Sequence, residues 1–307
     1  MCRFAFYLGS PIVVSSLVTE PSNSIIHQSF HSHERSEPLN GDGFGVSWYA
    51  PEVRPQPALF RDVTPAWSDA NLHSLSQVTV SPCIFAHVRA ASPGLPVTRL
   101  NCHPFTSGRF AFMHNGHVGG FAQIVRRLQA GLSDSAWAGI RGSTDSEHLF
   151  AWFCDCLAER RMEAAPGSRD DAPADSTAVA KAGAELEPMS ESMAAAMRAT
   201  IADQERLKRE AGIEERSLLN LVVSDGREAV ITRYITGGGD GAETLYVHAG
   251  GRFVCEQGVC RLLDRTAAER GLLVASEPLS DDPGWEAVPV NHLLLIRDGL
   301  DFEISAL

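Results

Sequence analysis

Strand-like apolar runs stand at both ends of this 307-residue chain, and helix-like segments fill the middle. Phe4 to Leu8 is one such run, stopped by Gly9-Ser10-Pro11. The last third supplies more: Ser217–Ser224, Glu228–Ile235, Thr244–Val247, Leu272–Ser276 and His292–Arg297. Asp225-Gly226 joins the first two of these as a hairpin turn. Between the ends, Gly119 to Gln129 has helical spacing, with Phe121, Ile124, Val125 and Leu128 on one face. Thr144 and Glu147 fit a capping box ahead of Leu149, Phe150, Trp152 and Phe153, and Met189 to Glu210 is Ala-rich with high helix propensity. Ser68 is placed to cap a short helix carrying Leu72 and Leu75. Sheets that must recruit strands from both ends imply one domain over residues 1–307, not two independent units. The stretch 164–188 shifts to Ala, Pro, Asp, Gly and Ser and reads as a flexible insertion with little to bury.

Composition removes several functions. The formal net charge is −12 and no basic run stands out, which suits neither nucleic acid nor an anionic membrane. Leu293 to Ile296 is too short to span a bilayer, and the N-terminal apolar run ends too early for a signal peptide. Seven cysteines without framework spacing fit a reducing compartment, so a cytoplasmic protein is expected. No cofactor and no metal are expected. Gly41-Asp42-Gly43-Phe44-Gly45 lacks the preceding strand and following helix of a dinucleotide site. His27 and His31 are spaced to share a metal on a helix, but no acidic or cysteine ligand completes the set; Cys255 and Cys260 lack the second pair of a zinc site.

Cys2 follows the initiator methionine and is small enough for that methionine to be trimmed. The freed residue would carry a thiol titrating near ~8.5 and an amine near ~7.7–8.0, a nucleophile and a base together. A small apolar residue packed in a strand is the alternative reading. Arg89 ends the apolar run Cys83 to Val88, and a half-buried guanidinium there needs an anion from the protein or a ligand. Asn115-Gly116 closes the run Phe110 to Met113 and is either an ordinary turn or a pair of donors, one side chain and one backbone N–H. Asp145 opens a helix, where it either favours the dipole or points into a site.

In order, Cys2, Gly41–Gly45, His87-Val88-Arg89, Asn101-Cys102-His103-Pro104, His114-Asn115-Gly116 and Thr144-Asp145-Ser146-Glu147 resemble the class II glutamine amidotransferases, which are N-terminal-nucleophile hydrolases. Leu273 through Trp285 resembles the C-terminal part of their stand-alone branch. The resemblance implies an α+β fold, a four-layer α-β-β-α sandwich of two antiparallel sheets. It implies that Cys2 attacks a γ-glutamyl carbonyl and that Asn115 and Gly116 hold the oxyanion. Arg89 would then bind the substrate α-carboxylate and Asp145 its α-ammonium, with His87 and His103 close by.

Two stand-alone groups are similar: the glutaminase-like subunit of the cytosolic glutathione-degradation complex, and the γ-glutamyl hydrolase of ergothioneine biosynthesis. Asn40–Phe44, Thr64-Pro65-Ala66-Trp67 and Asn101–Phe105 look more like the first. Hydrolysis of glutathione or a related γ-glutamyl peptide is therefore expected, with a peptidase or synthase subunit as a possible protein partner. The alternatives are a glutaminase feeding ammonia to a separate synthase, the ergothioneine-type hydrolase, and a non-catalytic γ-glutamyl-binding subunit.

Overall fold

The structure is a computed structural model that describes residues 2–34, 39–92, 94–163, 187–256, 259–266 and 268–307. In chain order the strands are β1 (Arg3–Val13), β2 (Phe44–Ala50), β3 (Arg54–Asp62), β4 (Val80–Val88), β5 (Phe105–Ser107), β6 (Phe110–His117), β7 (Leu218–Ser224) and β8 (Ala229–Arg233). They continue as β9 (Tyr246–Gly250), β10 (Phe253–Glu256), β11 (Val259–Leu262), β12 (Gly271–Ala275), β13 (Glu286–Ala287), β14 (His292–Ile296) and β15 (Phe302–Ala306). The helices are α1 (Ser15–Val18), α2 (Ile25–Phe30), α3 (Ala70–Ser76), α4 (Phe121–Ala130), α5 (Asp134–Gly139), α6 (Asp145–Glu163) and α7 (Met189–Glu210).

Strand pairing is antiparallel throughout. One sheet runs β13-β9-β12-β1-β4-β2-β3 and the other β15-β14-β8-β7-β6-β5, with β10-β11 as a separate hairpin. Both sheets combine strands from the two halves of the chain.

Period-two alternation explains the layering, because successive side chains on a strand face opposite ways. Along β1, Phe4, Phe6 and Leu8 enter a central core shared with Phe85, Met113, Val222, Ile231 and Leu294. Ala5 and Tyr7 belong instead to an outer core with Leu17, Val18, Ile25 and Leu72 of α1, α2 and α3. On β6, Ala111 and Met113 face the central core. Phe112 turns outward to Phe150 and Phe153 of α6 and to Met193 and Met197 of α7. The Phe112 and Phe150 rings stack at 5.0 Å. Helices, sheet, sheet, helices: this is the expected four-layer sandwich. Each fully buried phenylalanine in the central layer is worth about 3–5 kcal/mol against truncation to alanine.

Local details differ from the sequence reading in instructive ways. The cap of α3 is Asp69, which accepts from Leu72 N, while Ser68 sits in a preceding 3-10 turn. Thr144 does cap α6 through Glu147 N, but the Glu147 carboxylate turns away to the N–H groups of Arg141 and Gly142. Cys255 and Cys260 face each other across the β10-β11 hairpin and form a disulfide, a pairing that the cysteine count alone did not suggest. No helix among the described residues is long and apolar enough to cross a membrane. Most of the expected insertion, 164–186, lies outside the described residues. Its last two positions are described: Glu187 bonds Arg160 and Ser192, and Pro188 is the N-cap of α7.

Candidate active site

Cys2 stands immediately before β1, and the pairing of β1 with β4 sets Arg3 opposite Val88 and Phe4 opposite His87. Arg89 therefore leaves β4 at the same edge at which the chain begins. The glycine run holds it there: Arg89 N donates to Gly43 O at 2.8 Å, and Asp42 N donates to Arg89 O at 3.0 Å. Gly45 has no room for a side chain, since a Cβ would fall 2.0 Å from His103 O. The run thus serves close backbone approach, as its turn chemistry suggested.

Cys2, Arg89, His103, Gly116 and Asp145 line one pocket of about 100 Å³, together with Ala90, Ser92, Leu95, His114, His117, Thr144 and Ser146. Cavities of about 360 and 800 Å³ exist elsewhere, but neither touches Cys2. Of the seven residues singled out from the sequence, five share this wall. The other two stand directly behind it. His87 stacks on His103 with ring centroids 4.2 Å apart, and its Nε2–H donates to His114 O at 3.2 Å. Asn115 lies between His114 and Gly116 on β6, with its amide against Ser276 Oγ at 3.4 Å.

The charges in the pocket are unmatched. Arg89 is 3% exposed, and among the described residues its guanidinium reaches only the carbonyl oxygens of Asp42 and Pro96, at 3.5 and 3.4 Å. Asp145 accepts Val118 N at 2.7 Å and Ser146 N at 2.8 Å. Among the described residues neither has an ion-pair partner, and they do not pair with each other. Asp145 is half-buried, but a buried, unpaired charge such as Arg89 costs several kcal/mol and is retained where a ligand completes it.

The buried imidazoles of the site are poor bases. Burial pushes His87 down to about 3 and His103 well below its ordinary range, so both are neutral at neutral pH. Burial lowers His114 as well; its Nε2–H donates to Leu218 O at 3.0 Å, which leaves Nδ1 to accept from Ser146 Oγ at 2.9 Å. Burial also pushes the Cys2 thiol up to about 11, against the hydrogen bond to Ala90 O at 3.6 Å and the positive charge of Arg89, which both act downward. The sulfur is a neutral thiol at rest. It needs a base to become a nucleophile, and burial leaves His87, His103 and His114 too weakly basic to serve.

Gly116 has φ +146°, and a Cβ there would meet Leu218 O at 1.8 Å. Only glycine fits that backbone. Among the described residues no group of three or more His, Cys, Asp or Glu is arranged to hold a metal, although the His27, His31 and His33 rings lie 5.3–6.3 Å apart.

Arg3 was missed in the sequence reading. It is 1% exposed, donates to Glu277 Oε1 at 2.8 Å and to Cys2 O at 3.1 Å, and so ties Cys2 to the end of β12. The signal was available: a charged residue opening an apolar strand needs a buried partner. Burial would raise the Glu277 carboxyl, but hydrogen bonds from Ser32, Arg3 and His33 N together with the Arg3 charge hold it below the usual range.

Residues 15–185 match the family model of the class-II glutamine amidotransferases, a span that holds every pocket residue named above except Cys2. The chain is 41% identical to the probable glutamine amidotransferase DUG3 of Saccharomyces cerevisiae, over 97% of this chain and 82% of the relative. It is 26% identical to a gamma-glutamyl-hercynylcysteine sulfoxide hydrolase of Mycobacterium tuberculosis, over 96% of this chain and 92% of that protein. The fold is shared with a glutamine aminotransferase class-II domain protein from Silicibacter pomeroyi, with a TM-score of 0.62 at 24% identity and 99% of both chains covered. With a family model covering more than half the chain and this identity over nearly all of it, the chain belongs to the class-II glutamine amidotransferases.

Proposed function

We propose that this enzyme hydrolyses a γ-glutamyl amide bond, with Cys2 as the nucleophile once Met1 has been removed. The observation that carries the proposal is a pair of opposite charges without ion-pair partners among the described residues, Arg89 and Asp145, lining one small pocket with Cys2. A γ-glutamyl head group is a zwitterion. Arg89 receives its α-carboxylate through a bidentate fork and Asp145 its α-ammonium.

The freed α-amine takes the thiol proton as sulfur attacks the γ-carbonyl. A thiol held at about 11 makes that transfer part of the attack itself. The Asn115 amide and Gly116 N–H bind the tetrahedral oxyanion. Collapse expels the leaving amine, which takes the proton from the α-amine, and leaves a γ-glutamyl thioester on Cys2. Water then attacks the thioester, the amine again acting as base, and glutamate departs. His87 and His103, neutral and buried, form the wall behind Cys2 without exchanging protons.

The pocket is far smaller than the ~300–1,000 Å³ of sites that enclose a whole ligand. It holds the glutamyl head, and the leaving amine extends outside it. Similarity of Asn40–Phe44, Thr64–Trp67 and Asn101–Phe105 to the glutathione-degradation branch favours glutathione or a related γ-glutamyl peptide, with a peptidase subunit as partner. A second reading, ammonia supply to a separate synthase, is favoured by the amidotransferase name of the yeast relative.

Glutamate release from a panel of glutamine, glutathione and other γ-glutamyl peptides, run beside Cys2→Ala, tests this. Release that depends on Cys2 supports hydrolysis, and its ranking separates the two readings. No release from any member would favour a γ-glutamyl-binding subunit without activity of its own.

A further inference from the structure

We infer that Ser276 is a positioning residue for the reaction: its hydroxyl dictates which end of the Asn115 side-chain amide faces the reacting carbonyl. The inference rests on the reading of Asn115 as an oxyanion donor.

Ser276 follows β12 and is held from both sides. Its N–H donates to Phe4 O at 3.0 Å, and its carbonyl accepts from Thr244 Oγ1 at 2.8 Å. Its Oγ lies 3.1 Å from Phe4 N, two residues from the nucleophile, and 3.4 Å from the Asn115 amide. Both Ser276 and Asn115 are fully buried.

A serine hydroxyl offers one donor and two acceptor lone pairs. Phe4 N–H takes one lone pair. With Asn115 Nδ2 donating to the second, the hydroxyl proton has no acceptor among the described residues, and Asn115 Oδ1 is buried without a partner. Two unmet polar groups then sit at one contact, each costing about 1–3 kcal/mol. Turning the amide by half a rotation removes both, because the serine O–H donates to Oδ1. The oxygen and nitrogen of an asparagine amide are told apart only by such bookkeeping. In that orientation the Nδ2 hydrogens alone stay unpaired, and a developing oxyanion needs them. The opposite orientation would aim an acceptor at the oxyanion and repel it. Phe4 N–H occupies one lone pair of the hydroxyl and leaves its proton to donate to Asn115 Oδ1. The strand that carries the nucleophile thereby sets the polarity of the oxyanion site.

A double-mutant cycle on glutamate release tests the inference. Losing an oxyanion donor costs about 10²–10³ in rate, so Asn115→Ala should lower kcat by that order. Ser276→Ala should lower kcat at least about tenfold but by no more than the Asn115→Ala loss, while KM stays within about twofold, because Arg89 and Asp145 still grip the head group. In the Asn115→Ala background the Ser276→Ala change should cost no more than about twofold. Should Ser276→Ala prove insoluble, Ser276→Cys keeps the volume with a weak donor and enters the same cycle. An equal loss from Ser276 replacement in both backgrounds, or an unchanged kcat in Ser276→Ala, overturns the inference. If Asn115→Ala itself leaves kcat unaltered, the oxyanion role of Asn115 fails, and this inference fails with it.

Discussion

Arg3 and Glu277, 274 positions apart in the chain, meet at 2.8 Å with both side chains 1% exposed. The pair joins the first residue of β1 to the residues that follow β12, and Arg3 also holds the Cys2 carbonyl. Without Glu277 the buried Arg3 charge keeps only the longer, 3.6 Å contact to Glu243, and breaking such a buried pair costs up to about 3–5 kcal/mol. Glu277→Ala should therefore lower the urea midpoint by a corresponding amount and reduce activity even in the folded fraction. A midpoint within experimental error of the parent would show that the pair does not anchor the N-terminus.

The catalytic proposal requires a free α-amine on Cys2. Intact-mass measurement of active protein should show Met1 absent, and Cys2→Ala should abolish glutamate release while leaving the fold intact. Fully active protein that retains Met1 would remove the proposed base.

Arg89 is buried with only two long contacts to carbonyls among the described residues, and the proposed role for it is to bind the substrate carboxylate. A charge-assisted hydrogen bond is worth about 1.5–3 kcal/mol. Arg89→Ala should accordingly raise KM by about 10- to 100-fold, with a smaller change in kcat. An unaltered KM would place the carboxylate elsewhere.

Acid should destabilise the protein early. His87 titrates near ~6.5 when unfolded but at about 3 in the fold, and His103 is shifted the same way. Between those values the unfolded chain binds protons that the native one refuses. Stability is thus full above ~6.5 and falls with decreasing pH by about 1.4 kcal/mol per unit for each such histidine. The depressed Glu277 carboxyl adds a loss in a lower window, below the ordinary carboxylate range. Thermal midpoints measured from about pH 7.5 to about pH 5 should decline, and His87→Gln should flatten the decline. A flat profile for the parent protein would mean that these imidazoles are not held neutral.

Much of the fold was readable because both sheets use strands with regular alternation. Phe4, Phe6 and Leu8 face one way and Ala5 and Tyr7 the other, which period-two spacing alone requires. The helix over Gly119–Gln129 was equally plain, since Ile124 and Leu128 fall on one buried stripe. Caps were read less well. Ser68 and Asp69 are both good N-caps, and the choice of Asp69 depends on the 3-10 turn before it. The Cys255–Cys260 bond escaped because nothing local announces that β10 and β11 form a hairpin.

The chain by itself determined the order of the chemistry: a cysteine at position two, an arginine closing a strand, an asparagine-glycine pair closing another, an aspartate opening a helix. Side-chain type and spacing carry that much, because each group's reactivity and each strand's alternation are local properties. Only the tertiary structure decided that Arg89 and Asp145 have no ion-pair partner among the described residues, that burial keeps His87, His103 and His114 neutral, and that Arg3, Ser276 and Glu277 hold the residues around Cys2. Those facts depend on burial and on contacts between residues hundreds of positions apart, and neither is written in any single stretch of sequence.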